Sequence, residues 1–133
     1  MIARFADTFF YLALINKDDA AHKRAVDLAR RLKGTVVTSA WVLTEVADAF
    51  ADPDHRESFI KLVESLRSDA RTVIVPPQES HFDAGYRLYA DRSDKDWSLT
   101  DCISFIIMKE QGITSALTGD HHFEQAGLAA LLA

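Results

Sequence analysis

Five acidic side chains border short apolar segments of this sequence, and they are Asp7, Glu45, Asp96, Asp101 and Asp120. Carboxylates that gather in one crevice repel each other, so a shared site needs a compensating cation. Mg²⁺ or Mn²⁺ suits such a site, because hard cations prefer carboxylate and water oxygens. The residue types therefore predict a divalent metal site that requires neither histidine nor cysteine.

Each of these acids also has a structural explanation, and the residues alone leave both open. Asp7 can cap a helix that begins at Thr8, and Asp120 can be a turn residue. Asp101 follows Ser98 by three residues, which is the spacing of a capping box. Glu45 can lie on a solvated face, but its neighbours are mostly apolar. A buried carboxylate there would need a partner or a cation, which favours the metal site.

Other chemical motifs are weak. His121 and His122 are adjacent and no cysteine lies near either, so we do not expect a zinc site. Cys102 lies in an apolar stretch and is predicted to be a buried structural thiol. The glycines are scattered, so the sequence contains no phosphate-binding loop. No serine stands in a nucleophile-elbow pattern.

Strand-like and helix-like segments alternate along the chain and would position these acids. We predict strands at 2–6, 35–38, 72–75 and 115–117, with a possible edge strand at the end. The predicted helices are 8–15, 20–32, 39 or 40 to 50, one ending near 66, 80–90, 98–111 and a short turn at 122–125. Such alternation indicates an α/β fold with a parallel sheet covered by helices on both faces. Ligands bind such sheets at the carboxyl ends of the strands.

Length and composition limit the class of protein. The 133 residues are 48% hydrophobic, which predicts a single domain spanning 1–133. The net charge of −5 shows no basic surface for nucleic acid, although a bound metal reverses charge locally. The apolar runs 9–15 and 102–108 are too short to span a membrane. With no signal peptide and one cysteine, we expect a cytoplasmic protein.

Four motifs in order resemble a known family over essentially the whole chain. They are a strand followed by Asp7-Thr8, then Thr38-Ser39-Ala40-Trp41-Val42-Leu43-Thr44-Glu45, then Asp96-Trp97-Ser98-Leu99-Thr100-Asp101-Cys102, then Thr118-Gly119-Asp120-His121-His122-Phe123. Together they resemble the PIN domain, and within it the VapC-type toxins of bacterial toxin–antitoxin pairs.

The resemblance implies a three-layer α/β/α sandwich with a central parallel sheet. It implies that Asp7, Glu45, Asp101 and Asp120 form the metal-binding catalytic set and that Asp96 is an additional acid. Thr8 and Thr118 match polar residues that orient the acids or bound water. The implied activity is RNA cleavage with Mg²⁺ or Mn²⁺, leaving 5′-phosphate and 3′-hydroxyl ends. Phe9 departs from the family, because many members carry a small polar residue there.

The resemblance also implies partners. VapC-like toxins bind an antitoxin in a groove near the first helix and commonly form homodimers. Here residues 9–15 of that helix are apolar on every face, so they are either covered internally or meet a partner. Lys17, Arg92 and Lys95 are candidates for guiding an RNA strand, although each has an ordinary solvated role as the alternative.

Three alternatives compete with a nuclease. A PIN-like domain can hold RNA or protein without cutting, although a full acid set argues against it. A receiver domain needs an acid pair after the first strand, and a haloacid-dehalogenase-like phosphatase needs Asp-x-Asp there. Asp7 stands alone and is followed by Thr8 and Phe9, so both phosphate-handling classes fit poorly.

Overall fold

A computed structural model describes residues 2–133 and shows a five-stranded sheet whose strands all run parallel. The strands are β1 (Ala3–Ala6), β2 (Thr35–Ser39), β3 (Thr72–Val75), β4 (Ser115–Leu117) and β5 (Ala129–Ala130). The helices are α1 (Thr8–Ile15), α2 (His22–Arg31), α3 (Ala40–Ala49), α4 (Arg56–Ser68), α5 (Glu79–Asp91), α6 (Leu99–Gln111) and α7 (His121–Gln125). The predicted alternation of strands and helices is confirmed.

The order of the strands, β3-β2-β1-β4-β5, shows where a site can form. The chain adds β2 and β3 on one side of β1 and then returns to add β4 and β5 on the other. With right-handed crossovers, the helices before and after β3 lie on opposite faces of the sheet, which gives three layers. The reversal of direction leaves a crevice beside the carboxyl ends of β1 and β4.

Local sequence signals fix the ends of the helices that border this crevice. The Ser39 hydroxyl accepts a hydrogen bond of 3.1 Å from the Val42 backbone N–H and begins α3. Ser98 caps α6 in the same way. Gly112 ends α6 in the left-handed conformation, with φ +68°, which a residue with a side chain rarely adopts.

The protein covers most of both sides of helix α1, which accounts for the apolar sequence of this helix. Phe10, Tyr11 and Ala13 are buried in the core, and no residue of α1 is fully exposed. Leu12 and Ile15 remain half-buried. Internal packing therefore accounts for most of this helix, and a partly apolar strip remains at its surface.

The structure corrects three details of the sequence interpretation. Helix α2 begins at His22 and not at residue 20, because Ala20 and Ala21 belong to the preceding turn. The apolar periodicity of α4 predicts a buried stripe of Phe59, Ile60, Val63 and Leu66, but Ile60 is 47% exposed and Leu62 is buried instead. The sequence predicts that His81 is at the surface or partly buried, but it is buried on α5 and its Nε2 lies 3.1 Å from Glu110 Oε2 of α6. Within residues 2–133, every helix falls short of the length and apolar character that a membrane crossing requires.

Candidate active site

Three carboxylates that are far apart in sequence meet at the crevice between β1 and β4. Asp7 follows β1, Asp101 lies in the first turn of α6, and Asp120 lies between β4 and α7. One oxygen from each side chain lies within 4.8 Å of the others. The structure therefore brings together three of the four acids predicted to form the catalytic set.

Asp7 is the most buried of the three, with 3% of its surface exposed. It occupies the N-cap position of α1, yet its side chain makes no capping hydrogen bond. The Thr118 hydroxyl donates to its Oδ2 at 3.0 Å, and its buried Oδ1 has no hydrogen-bond partner among the described residues. The capping explanation for Asp7 is therefore wrong, and one carboxylate oxygen is left free for another ligand.

Burial is the largest cause that raises the pKa of Asp7, to about 7, and the nearby charge of Asp101 adds to it. Hydrogen bonds from the Thr8 backbone and the Thr118 hydroxyl oppose that shift without cancelling it. A carboxyl whose pKa lies this far above its usual range is destabilised in its charged form. A cation at the site would remove that penalty.

Asp101 has two roles at once. Its Oδ2 accepts the Ser98 backbone N–H at 3.1 Å, and its own N–H donates to the Ser98 hydroxyl at 3.0 Å, so the predicted capping box is present. The pKa of Asp101 is nevertheless raised, first by burial and then by the charge of Asp120, while hydrogen bonds from Ser98 and His122 lower it. The cap therefore orients a carboxylate that also faces the acid cluster.

Thr118 links Asp7 and Asp120 through hydrogen bonds. Its hydroxyl donates to Asp7 and accepts a hydrogen bond of 3.0 Å from the Asp120 backbone N–H. Asp120 in turn caps α7, because its Oδ1 accepts the His122 backbone N–H at 2.9 Å. A single buried threonine thus couples the end of β1 to the start of α7.

Sequence reasoning missed His122 as a residue of this site. Its Nδ1 lies 3.1 Å from Asp101 Oδ2 and 3.3 Å from Asp120 Oδ1. The signal available in the sequence was its position two residues after Asp120, at the start of a helix. His121, Asp120 and His122 also place ligand atoms within 4.8 Å of one another, and the argument against zinc stays a prediction.

Three aromatic rings in contact with one another join the segments that carry Asp101 and Asp120. Trp97, just before α6, makes an edge-on contact with Phe105, with ring centroids 5.1 Å apart. Phe105 makes a second edge-on contact at 5.0 Å with Phe123 of α7, which is fully buried. Trp97 Nε1 donates to Gln125 Oε1 at 3.0 Å. These contacts hold the start of α6 against α7 and therefore fix Asp101 relative to Asp120.

The remaining predicted residues lie outside the three-carboxylate group. Glu45 is half-buried on α3, and Asp96 is exposed in the loop before α6. Thr8 is buried beside Asp7, and its hydroxyl has no hydrogen-bond partner among residues 2–133. Cys102 is fully buried, which raises its pKa to about 11 and fits the predicted structural thiol.

The three cations predicted to guide RNA differ in their exposure and in their contacts with other side chains. Arg92 donates two hydrogen bonds to Asp94, at 3.0 and 3.1 Å, and its guanidinium lies 5.1 Å above the Trp97 ring. Its charge is therefore already engaged. Lys17 is exposed after α1, and Lys95 is half-buried in the loop before α6.

Phe9, the residue that departs from the family pattern, packs against Gly119. A Cβ placed on Gly119 would lie 2.5 Å from the tip of the Phe9 ring, closer than real Cβ contacts come. The aromatic ring therefore occupies space that only a glycine at position 119 leaves open.

The residues of the cluster fit a divalent cation of the hard type. All three are carboxylates, and Asp7 Oδ1 is a buried acceptor without a donor. A buried acceptor left unpaired costs roughly 1–3 kcal/mol, and more for a charged group, unless a ligand satisfies it. Oxygen donors of this kind match Mg²⁺ and Mn²⁺.

The chain is therefore an α/β domain with a parallel sheet and a cluster of carboxylates at the point where the strand order reverses. The family model of the PIN domain matches residues 4–128, and the chain belongs to that family. The resemblance inferred from the sequence motifs is confirmed, and so is the α/β/α fold.

Known relatives resemble the chain over nearly its full length. The 23S rRNA-specific endonuclease VapC20 of Mycobacterium tuberculosis is 28% identical, over 92% of this chain and 93% of its own. A crystal structure of VapC20, described as a sarcin-ricin loop cleaving toxin, superposes with a TM-score of 0.87 at 24% identity, covering 96% and 97% of the two chains.

Two more distant structures have the same fold. FitAcB from Neisseria gonorrhoeae matches with a TM-score of 0.66 at 21% identity, covering 98% of this chain and 96% of its own. The structure of VapBC2 from Rickettsia felis bound to a promoter DNA fragment matches with the same TM-score at 16% identity, over 98% and 96%.

Proposed function

We propose that this protein is a metal-dependent endoribonuclease that hydrolyses RNA phosphodiester bonds with Mg²⁺ or Mn²⁺. The observation that carries the proposal is the convergence of Asp7, Asp101 and Asp120 within 4.8 Å of one another, with a buried Asp7 oxygen left unpaired. Asp7, Asp101 and Asp120 would hold the metal. Glu45, half-buried on α3, is proposed to complete the catalytic set, either at a second ion or by positioning water.

The protein residues contribute orientation and charge. When bound, a divalent cation makes water a better nucleophile and stabilises charge on the phosphate. Thr118 fixes the Asp7 carboxylate, and the Ser98 cap fixes Asp101. Thr8 and Asp96 are proposed as supporting residues. The expected products carry a 5′-phosphate and a 3′-hydroxyl.

RNA is the proposed substrate. The curated relative VapC20 is named for cleavage of 23S rRNA, and its aligned region covers nearly all of both chains. An acidic protein can approach RNA if a metal neutralises its carboxylates and nearby cations steer the strand. Lys17 and Lys95 are proposed for this role, whereas Arg92 is engaged by Asp94. Work on RNA is consistent with a cytoplasmic location.

We further propose that the nuclease is the toxin of a toxin–antitoxin pair. The solved relative VapC20 is described as a toxin. Next to α1, a cavity of about 520 Å³ is lined by Leu12, Ile15, Phe50 and other residues. Leu12 and Ile15 are half-buried and Phe50 is buried, and polar residues line the rest of the cavity. The apolar part suits an apolar side chain of a cognate antitoxin. A small DNA-binding protein encoded in the adjacent reading frame would support this assignment.

A second copy of the chain is the other proposed partner. Trp41 of α3 lies 5.8 Å from Phe82 of α5, and the Phe82 and Tyr86 rings stack at 6.5 Å. Phe82 is 38% exposed and Tyr86 is 56% exposed. Aromatic side chains are enriched in protein interfaces. We name these three residues the aromatic patch and propose that it joins two protomers in a homodimer.

The nuclease proposal is tested by cleavage of RNA with purified protein. Asp7→Asn and Asp101→Asn keep the shape of the side chains but remove the charge that holds a cation. We expect both variants to lose at least 100-fold in cleavage rate, in keeping with the scale of single catalytic residues. Asp54→Asn, an exposed acid outside the site, is the matched control.

The assay is run with Mg²⁺, with Mn²⁺ and with excess EDTA. Cleavage only in the presence of a divalent ion, lost in both site variants and kept in the control, supports the nuclease. If both site variants cut RNA at the parent rate, the site is wrong. If the parent binds RNA without cutting under every condition, the chain is a non-catalytic PIN-like binding module.

A further inference from the structure

His122 has an unusual position among the carboxylates. It lies in the first turn of α7, and 19% of its side chain is exposed. Its ring Nδ1 lies between two acceptors, 3.1 Å from Asp101 Oδ2 and 3.3 Å from Asp120 Oδ1. Its backbone N–H donates to the same Asp120 oxygen at 2.9 Å. One residue therefore contacts two acids of the cluster and contacts one of them twice.

The chemistry of the groups decides what the ring does. An ionised carboxylate only accepts hydrogen bonds, so a ring nitrogen between two carboxylates is stable there when it carries a proton. With the proton on Nδ1, the ring donates toward both oxygens. This bridge opposes the mutual repulsion of Asp101 and Asp120. The repulsion contributes to the raised pKa of Asp101, and the hydrogen bond from His122 lowers that pKa.

We propose that His122 is a positioning residue that sets the spacing of Asp101 and Asp120 before a metal binds. This inference rests on the proposed function, because the spacing matters only if the carboxylates hold a cation. The aromatic contacts hold the backbones of α6 and α7 together, but without the bridge the two carboxylates face each other with no donor between them and repel. Metal binding must then supply the free energy that brings their oxygens together. Hydrogen bonds to metal-binding side chains typically change metal affinity by about 10–100-fold.

The test measures metal affinity directly, without an RNA substrate. Mg²⁺ and Mn²⁺ are titrated by calorimetry into metal-free parent protein and into His122→Ala, His122→Asn, His122→Gln and His55→Ala. His55 is the matched control, because its Nδ1 also lies close to a carboxylate, Asp52 at 2.9 Å, but its side chain is 58% exposed and lies outside the acid cluster. Circular dichroism and thermal unfolding of each metal-free variant establish that it is folded.

We expect His122→Ala to lose about tenfold or more in affinity for both ions. His122→Asn should recover most of the loss, because its amide N–H reaches the position of Nδ1. His122→Gln, whose amide reaches the position of Nε2, should not recover it. His55→Ala should bind both ions like the parent.

A role as a direct metal ligand predicts a different result. Pulsed electron paramagnetic resonance of bound Mn²⁺ would then show a nitrogen coupling that disappears in His122→Ala, together with a selective loss of Mn²⁺ affinity. That outcome overturns the positioning role, and so does unchanged affinity in His122→Ala when the parent binds metal tightly. If the parent binds neither ion and matches Asp7→Asn, the proposed function itself fails.

Discussion

At the scale of single residues, the cost of a negative charge at Asp7 dominates the site. The carboxyl is buried, lies near Asp101 and has one oxygen without a donor. A side chain placed for stability alone would be satisfied by hydrogen bonds, as buried polar groups usually are. The arrangement instead stores an unfavourable interaction that a cation relieves.

This cost predicts how the stability of the metal-free protein depends on pH. The pKa of Asp7 is about 7 in the folded chain and about 3.9 in an unfolded one. Between these values the unfolded chain has released a proton that the folded chain keeps, so stability falls as pH rises from about 4 to 7. We expect Asp7→Asn to be more stable than the parent at pH 8 by about 2–4 kcal/mol.

Urea denaturation in EDTA at pH 4, 6 and 8 measures the effect. The difference between variant and parent should be small near pH 4, where Asp7 is protonated in the folded chain and about half protonated in the unfolded one. Asp54→Asn, at an exposed position, should show no comparable gain. Equal stability of Asp7→Asn and the parent at pH 8 would show that the buried charge carries no such cost.

The sequence predicts the position of a single side chain well where the order of strands along the chain alone decides it. Asp7 and Asp120 follow neighbouring parallel strands, so their convergence could be predicted once the strands were recognised. The contacts of His122 could not be predicted, because they depend on the direction of the short helix α7 relative to α6. The apolar neighbours of Glu45 left its burial open, and the structure makes it half-buried, because its face of α3 lies between the buried and the exposed ones.

At the scale of elements, the close packing of α5 on α6 sets the position of Asp101. Gly85 of α5 faces Ile103 of α6, and a Cβ on Gly85 would lie within 3.0 Å of the Ile103 backbone. Since Ile103 is two residues after Asp101, any separation of the two helices moves the first turn of α6. The glycine is needed here for space, and its backbone φ is not in the left-handed region.

Gly85→Ala tests this contact. Alanine favours a helix over glycine by about 1 kcal/mol, but the added methyl group must push α6 away. We expect a net loss of about 1–3 kcal/mol in the free energy of unfolding. Chemical denaturation measures it, with Asp83→Ala on the exposed side of α5 as the control. A Gly85→Ala variant more stable than the parent would show that the helices have room to spare.

The elements themselves were largely predictable, because apolar periodicity and capping residues specify them locally. The ends of α3 and α6 agree with Ser39, Ser98 and Gly112. The errors fell where tertiary packing decides between adjacent apolar residues, as for Ile60 and Leu62 on α4. A periodic pattern gives the direction of the buried face only to within about one residue.

At the scale of the whole molecule, the aromatic patch is one of the apolar surfaces that residues 2–133 leave exposed. We expect the parent to be a dimer in size-exclusion chromatography with light scattering, and Tyr86→Glu to be a monomer, because a charge buried at the interface is costly. Arg87→Glu, at an exposed position on another face of the same helix, is the control outside the patch. A monomeric parent, or an unaffected Tyr86→Glu dimer, would contradict this assignment of the interface.

The positions of the three carboxylates along the chain have a consequence for synthesis. Asp7 is made more than ninety residues before Asp101 and Asp120. The central neighbours β1 and β4 likewise pair across more than a hundred residues. A ribosome must therefore release the chain from β1 to α7 before the pocket exists. Chains that stop before Asp120 carry isolated acids and no assembled cluster, so the proposed activity would be absent from them.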